Sequence, residues 1–151
     1  MVLAVWVYNG GMGVDADPIL NADEAAALLR EHGITPTRQR VAIGTVLFAC
    51  RQHMEASELF RRVRASDTSI SRSTVYNTLE LFVEKGLLQE LSLGDRSRIY
   101  DTNLAPHHHL YHVDSGEIED LDLSQIKVKV PDEVLGDSSL VGMDVTLRVA
   151  G

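Results

Sequence analysis

At 151 residues the chain is one domain or two small ones sharing a core, and its 44% hydrophobic content is ordinary for a soluble protein with a buried interior. The single cysteine, Cys50, excludes a disulfide framework and a Cys-only zinc site, and it points to a reducing cytoplasm. A formal net charge of -8 argues superficially against nucleic acid, but the charge is unevenly placed: residues 1–29 carry four acids and no base, residues 30–100 eleven Lys or Arg against eight acids, and residues 101–151 three bases against ten acids. A basic middle and an acidic end are expected when one part of a chain meets phosphate and another serves a different purpose.

The apolar run Val2 to Tyr8 is short, has no basic residue before it and is followed by NGGMG, so it reads as neither signal peptide nor membrane span. With the Gly- and Asp-rich stretch 9–17, it predicts a flexible N-terminal arm over residues 1–20. Asn21 then caps a helix from Ala22 to about His32, stopped by Gly33. In ITPTRQRVAIGTVLFAC, Thr35 is the expected cap and Pro36 occupies the first turn, where its missing amide is harmless. Ile43, Val46, Leu47 and Cys50 make the apolar stripe of that helix, which reads Cys50 as a core residue. A third helix runs from about Glu55 to Arg64, with Ala56, Leu59, Phe60 and Val63 facing inward.

The stretch SISRSTVYNTLELFVEKGLL, residues 69–88, is framed by Ser69 or Ser71 as cap and Gly86 as stop. Val75, Leu79, Phe82 and Val83 form one buried stripe, while Arg72, Ser73, Tyr76, Asn77 and Glu80 lie on the other face. A guanidinium, hydroxyls and an amide near the positive end of a helix suit phosphates and base edges in a DNA major groove. Arg38 and Arg40 open the second helix and are available to phosphate. Two strand-like segments follow, QELSL and RIYDT, joined by a hairpin turn from Gly94 to Ser97. Helices and a two-stranded hairpin make a winged helix, with Arg96 and Arg98 at the wing tip to grip a flanking phosphate.

Beyond Pro106 the pattern changes to short strands: HHLYHV, the turn Asp114-Ser115-Gly116, EIEDL, a helix or loop near Leu123 to Val134, and a last strand in MDVTLRV. So few strands are marginal alone, which predicts a homodimer through a shared sheet. The fold class is therefore α+β, with residues 21–103 as a winged-helix DNA-binding domain and 104–151 as a small α/β dimerisation and sensing domain. His107, His108, His109 and His112 crowd into six residues after Asp101. Because strand side chains alternate, His107 and His109 share a face and His108 takes the other, and two imidazoles on one face are a beginning for a metal site.

The segments TRQRVAIGTVL, HMEASELF, ISRSTVYNTLELFVEKGLL and PHHHLYH resemble the ferric uptake regulator family of metal-dependent repressors, over roughly Glu31 to Leu121. The resemblance implies a winged helix, a dimerisation domain and a metal site in the hinge between them. Carried over residue by residue, that site falls on His53, Asp101, His107, His109 and Asp120, a donor set suited to Fe(II) or Mn(II) and open to Zn(II). The family's Cys-x-x-Cys after the histidine cluster is replaced here by His112 and Ser115, so no structural zinc held by four cysteines is expected. Pro106 and Lys127 occupy positions of the family's second sensory site, and Asn77 stands where many members have arginine.

TVYNTLELFVEKG, the triple histidine and the lost cysteines are most similar to the iron response regulator branch, which implies heme binding through His107, His108 and His109. These features together predict a cytoplasmic, iron- or heme-responsive transcription regulator, mainly a repressor. It would bind an AT-rich palindromic operator as a homodimer and have no membrane partner. The alternative within the family is a peroxide- or manganese-sensing repressor, since both carboxylate positions are aspartate. A nonheme metalloenzyme built on His107, His109 and a carboxylate is a further alternative, although the chain offers no nucleophile motif or Gly-rich loop; a metal- or heme-storage protein would not need the wing arginines.

Overall fold

The computed structural model describes residues 20–94 and 98–151. The expected N-terminal arm therefore lies outside the described residues, apart from Leu20, as do Arg96 and most of the hairpin turn. Four helices open the described chain: α1 (Ala22–Glu31), α2 (Arg38–Leu47), α3 (Ala56–Ser66) and α4 (Arg72–Glu84). A short strand, β1 (His53–Glu55), lies between α2 and α3, and β2 (Gln89–Leu91) and β3 (Ile99–Asp101) follow α4. After them come β4 (His108–His112), β5 (Ile118–Leu121), a 3₁₀ turn at Leu123–Gln125, α5 (Asp132–Leu135) and β6 (Thr146–Val149). No helix among the described residues is long and apolar enough to cross a membrane.

Helix boundaries follow from caps. Asn21 Oδ1 accepts the Glu24 N–H at 3.0 Å while Glu24 Oε2 accepts the Asn21 N–H at 2.9 Å, a reciprocal capping box. The second helix is capped by Thr37 rather than Thr35: Thr37 Oγ1 accepts the Arg40 N–H at 3.3 Å. Thr35 precedes a proline, whose ring excludes the helical backbone at that position, so the helix starts later in the chain. Of the two serines before α4, Ser71 is the cap, accepting the Thr74 N–H at 3.1 Å, and Gly86 ends the element at φ 73°. Ala and other L-residues are disfavoured at that φ, which is why the stop is glycine.

The helices share one core. Leu29, Ile43, Leu47, Leu59, Val63, Ile70, Val75, Leu79 and Phe82 are each at most 1% exposed and pack in one cluster, which Tyr100 of β3 joins. Thr78 is buried with the α4 stripe, whereas Val83 is only partly covered. Cys50 is exposed, contrary to the expected core position. The second helix stops at Leu47 with Phe48 as its C-terminal cap, so the helical periodicity that would turn Cys50 inward no longer applies.

Among the described residues, two three-stranded sheets accompany the helices. The first has the order β1-β3-β2, antiparallel throughout, with Met54 and Glu90 both opposite Tyr100. The wing is thus larger than a hairpin: β1 adds a strand on its far side. In the second sheet, ordered β5-β4-β6, β4 pairs antiparallel with β5 and parallel with β6. Large apolar side chains stand exposed in the C-terminal part, including Val134 at 71%, Leu140 at 55% and Val141 at 98%.

Candidate metal centre and nucleic-acid face

The candidate centre is assembled from four short segments. Strand β1 pairs with β3 so that His53 faces Asp101 across the ladder. Strand β4 pairs with β5 so that His109 faces Asp120. The chain between Asp101 and His108 joins the two sheets and carries His107 at its end. Two separate ladders thereby place one His–Asp pair each, and the connecting segment delivers the third imidazole between them.

The five residues His53, Asp101, His107, His109 and Asp120 each offer one ligand atom, and those atoms all lie within 4.8 Å of one another. Asp101 Oδ2 is 3.0 Å from His107 Nε2, 3.4 Å from His109 Nε2 and 3.7 Å from His53 Nε2. Asp120 Oδ1 is 3.0 Å from His53 Nε2 and 3.3 Å from His107 Nε2. His107 Nε2 and His109 Nε2 stand 2.9 Å apart. Two neutral imidazoles cannot both point lone pairs at each other at that distance without repulsion, so either a proton or a cation must lie among them. His53 Nε2 is buried and, although near Asp120, lacks the alignment of a hydrogen bond. An orphaned ring nitrogen, a close imidazole pair and two carboxylates are the donor chemistry of a divalent transition-metal site.

Second partners hold these groups in place. His107 Nδ1 donates to the Ala105 carbonyl at 2.6 Å, which leaves Nε2 as the free acceptor that a metal requires. Burial opposes ionisation of Asp120 more than any other single influence. Contacts with His53 and the Asn103 amide and the nearby charges of His107 and His53 together outweigh it, lowering its carboxyl to about 2. Asp120 is therefore ionised at neutral pH, as a carboxylate ligand to a cation must be.

The three histidines expected for heme do not converge. His108 is 1% exposed on the opposite face of β4, and its Nδ1 accepts the Val145 N–H at 3.3 Å. That bond fixes the proton on Nε2, which is buried without a partner and so presents no lone pair to an iron. His107 and His109 are turned into the five-residue cluster instead. In this arrangement the residues fit a divalent metal and do not fit heme.

The candidate nucleic-acid face is built on α2 and α4. Arg72 and Ser73 stand at the start of α4 with Asn77 one turn on, and Tyr76 is half-buried against the core. The Arg72 guanidinium lies 4.9 Å from the centre of the Phe60 ring, a cation–π contact that fixes the side chain near the helix start. Arg40 donates to the Thr35 carbonyl at 3.0 Å and lines a cleft with Thr37, Gln39, Thr74, Asn77 and Thr78. Sequence alone does not single out Gln39 and Thr74; their only signal is their place inside the TRQR and STVYNT segments. Arg38 is largely exposed and pairs with Asp67 at 3.1 Å, and Arg98 lies 3.4 Å from Glu90 and 3.7 Å from Glu80. Arg98 is thus shared with wing and helix carboxylates, and Arg96 lies outside the described residues.

A winged helix joined to a small sheet domain, with a three-imidazole, two-carboxylate cluster where they meet, defines a metal-responsive DNA-binding regulator. The chain belongs to the ferric uptake regulator family, whose model matches residues 31–149. It is 35% identical over 104 residues to the peroxide-responsive repressor PerR of Staphylococcus aureus strain Mu50, covering 69% of this chain and 70% of that protein. Among solved structures, a zinc-bound manganese uptake regulator is 26% identical with a TM-score of 0.61, covering 84% of this chain and 98% of the other. The Vibrio cholerae ferric uptake regulator has a TM-score of 0.68 at 22% identity, over 83% of this chain and 98% of that one, a likeness of fold. These relatives establish the family; they do not single out the iron response branch to which the resemblance points.

Proposed function

We propose that this protein is a homodimeric transcriptional repressor whose DNA affinity is controlled by Fe(II) or Mn(II) held by His53, Asp101, His107, His109 and Asp120. The observation that carries this reading is the convergence of those five donors where the wing sheet meets the second sheet. A metal there supplies positive charge that neutralises the two carboxylates. The chain's own residues do the rest: His53 and Asp101 belong to the winged helix, His109 and Asp120 to the second sheet, and drawing them together sets the angle between the two units. In a dimer that angle sets the spacing of the two α4 helices, and hence their match to a palindromic duplex. Arg72, Ser73, Tyr76 and Asn77 face the major groove, with Arg38, Arg40, Arg96 and Arg98 on phosphate. The exposed apolar residues of the C-terminal part, Leu147 and Val149 of β6 among them, support a dimer face on the second sheet.

Within the family, aspartate at both carboxylate positions and the 35% identity to a peroxide-responsive repressor support a peroxide- or manganese-responsive regulator over the heme-responsive one. The test is a fluorescence-anisotropy titration of an AT-rich palindromic duplex with metal-free protein, then with Mn(II), then with heme. The expected result is tight binding only with Mn(II), unaffected by heme. Duplex affinity that ignores Mn(II) sinks metal control, and release of the duplex by heme restores the iron response reading.

A further inference from the structure

One residue outside the five donors touches both carboxylates of the cluster and belongs to neither ladder. Asn103 is 7% exposed and uses every polar group it has. Its backbone N–H donates to Asp101 Oδ1 at 2.7 Å, and its side-chain Nδ2 donates to Asp120 Oδ2 at 2.6 Å. The Ala105 N–H donates to Asn103 Oδ1 at 3.3 Å, which fixes the amide with its NH₂ toward Asp120. Gln89 Nε2 of the wing donates to the Asn103 carbonyl at 2.6 Å, tying the segment to β2.

The consequence concerns the other oxygen of each carboxylate. Asp101 Oδ2 and Asp120 Oδ1 are the atoms that face the imidazoles, and their partners Oδ1 and Oδ2 are the ones that Asn103 occupies. We propose that Asn103 is a positioning residue that restricts Asp101 and Asp120 to one oxygen each toward a bound metal, so that the site offers five donors and selects small transition-metal ions. Without it, Asp120, the more exposed of the two carboxylates, turns freely and can present both oxygens, as the larger and more flexible coordination of Ca²⁺ prefers. The proposal rests on the metal-centre reading of the five-residue cluster.

Replacing Asn103 by alanine removes the side-chain donor to Asp120 but leaves the backbone N–H to Asp101, so it isolates one arm. The full-length metal-free protein is titrated calorimetrically with Mn(II) in four forms: wild type, Asn103→Ala, Asp120→Ala and the double variant. Loss of an outer-shell partner lowers metal affinity by roughly 10–100-fold, and that is the expected fall for Asn103→Ala. If Asn103 acts through Asp120, the same change costs less than about threefold in the Asp120→Ala background, because the group it positions is gone. The Mn(II) electron paramagnetic resonance spectrum also broadens in Asn103→Ala relative to wild type. Unchanged Mn(II) affinity in Asn103→Ala, or an equal loss in both backgrounds, overturns the proposal. Should Asn103→Ala fail to fold, the wild-type Asn103 side-chain amide is followed by NMR with Zn(II) as a diamagnetic probe. Retention of its hydrogen-bonded shift upholds the proposal, and movement to the free-amide position overturns it. Wild-type protein that binds no Mn(II) overturns the metal-centre reading itself, and is distinguished from the other outcomes by the first titration.

Discussion

Asp101 and Asp120 are both aspartates within reach of three imidazoles, but their surroundings differ. The Asp101 side chain is fully buried and lies nearest His107 and His109, whereas Asp120 retains 32% of its side-chain exposure. A buried carboxylate beside three ring nitrogens is costly unless cations offset it. Asp101→Asn keeps the shape and removes that charge. Its Mn(II) affinity is expected to fall by more than the ~10–100-fold typical of an outer partner, while the metal-free protein melts within a few degrees of wild type. Calorimetric titration beside thermal melting in chelator checks both halves, and an Asp101→Asn protein that binds Mn(II) like wild type removes Asp101 from the site. The pairing of His107 with His109 is legible in the sequence because strand alternation predicts it. Asp120 is not legible from spacing: it reaches the cluster only through the β4–β5 register, a non-local fact. Asn103 gives no signal beyond its position between Asp101 and the histidines.

At the scale of elements, the helices are readable because their determinants are local. Caps at Asn21 and Ser71, glycine stops and apolar stripes all lie within one or two turns of the residues they control. The departures have equally local causes: the proline beside Thr35 displaces it as a cap, and Cys50 falls on a stripe that outruns its helix. Strand β1 is invisible in the sequence because three residues carry no period, and its extended state depends on pairing with β3, far along the chain. Ser71 caps the helix expected to read DNA, so Ser71→Ala should cost about 1 kcal/mol of stability. It should also weaken duplex binding by less than Arg72→Ala does. Denaturant melts and anisotropy on the same variants compare the two, and a Ser71→Ala protein of unchanged stability contradicts the cap. Helix α3 offers a pH-dependent element. Hydrogen bonds from Arg61, then Arg62, hold the exposed Glu58 carboxyl down at about 2 against an ordinary 4.5. A carboxylate depressed on folding contributes stability that is fully present above its unfolded value and is lost as pH falls through its folded one. The window here is pH 4.5 down to 2, and the contribution is small and weakened by salt because the group is exposed. Glu58→Gln should therefore lower stability slightly above that window and flatten the acid limb, so that the variant and wild-type curves converge as pH falls toward 2. Urea melts across that acid window at low and high salt measure the difference, and identical acid limbs at low salt would remove the ion pair as its cause.

For the whole molecule, the cluster draws on both sheets, so anything that binds it ties them together. His53 and Asp101 enter through the β1–β3 ladder, and His109 and Asp120 through the β4–β5 ladder. A ligand that binds only this folded arrangement adds about 2.7 kcal/mol of stability at a free concentration of about 100 times its dissociation constant. For a protein of this size each kcal/mol raises the melting temperature by ~2–4 °C, so saturating Mn(II) should raise it by roughly 5–10 °C. The rise should be graded in free Mn(II) and absent in Asp101→Asn. A metal that bound one sheet alone would sharpen only part of the transition; a metal that clamps both should move a single transition as a whole. Differential scanning calorimetry across a Mn(II) series separates these outcomes, because only the clamped case shifts the entire heat-absorption peak together.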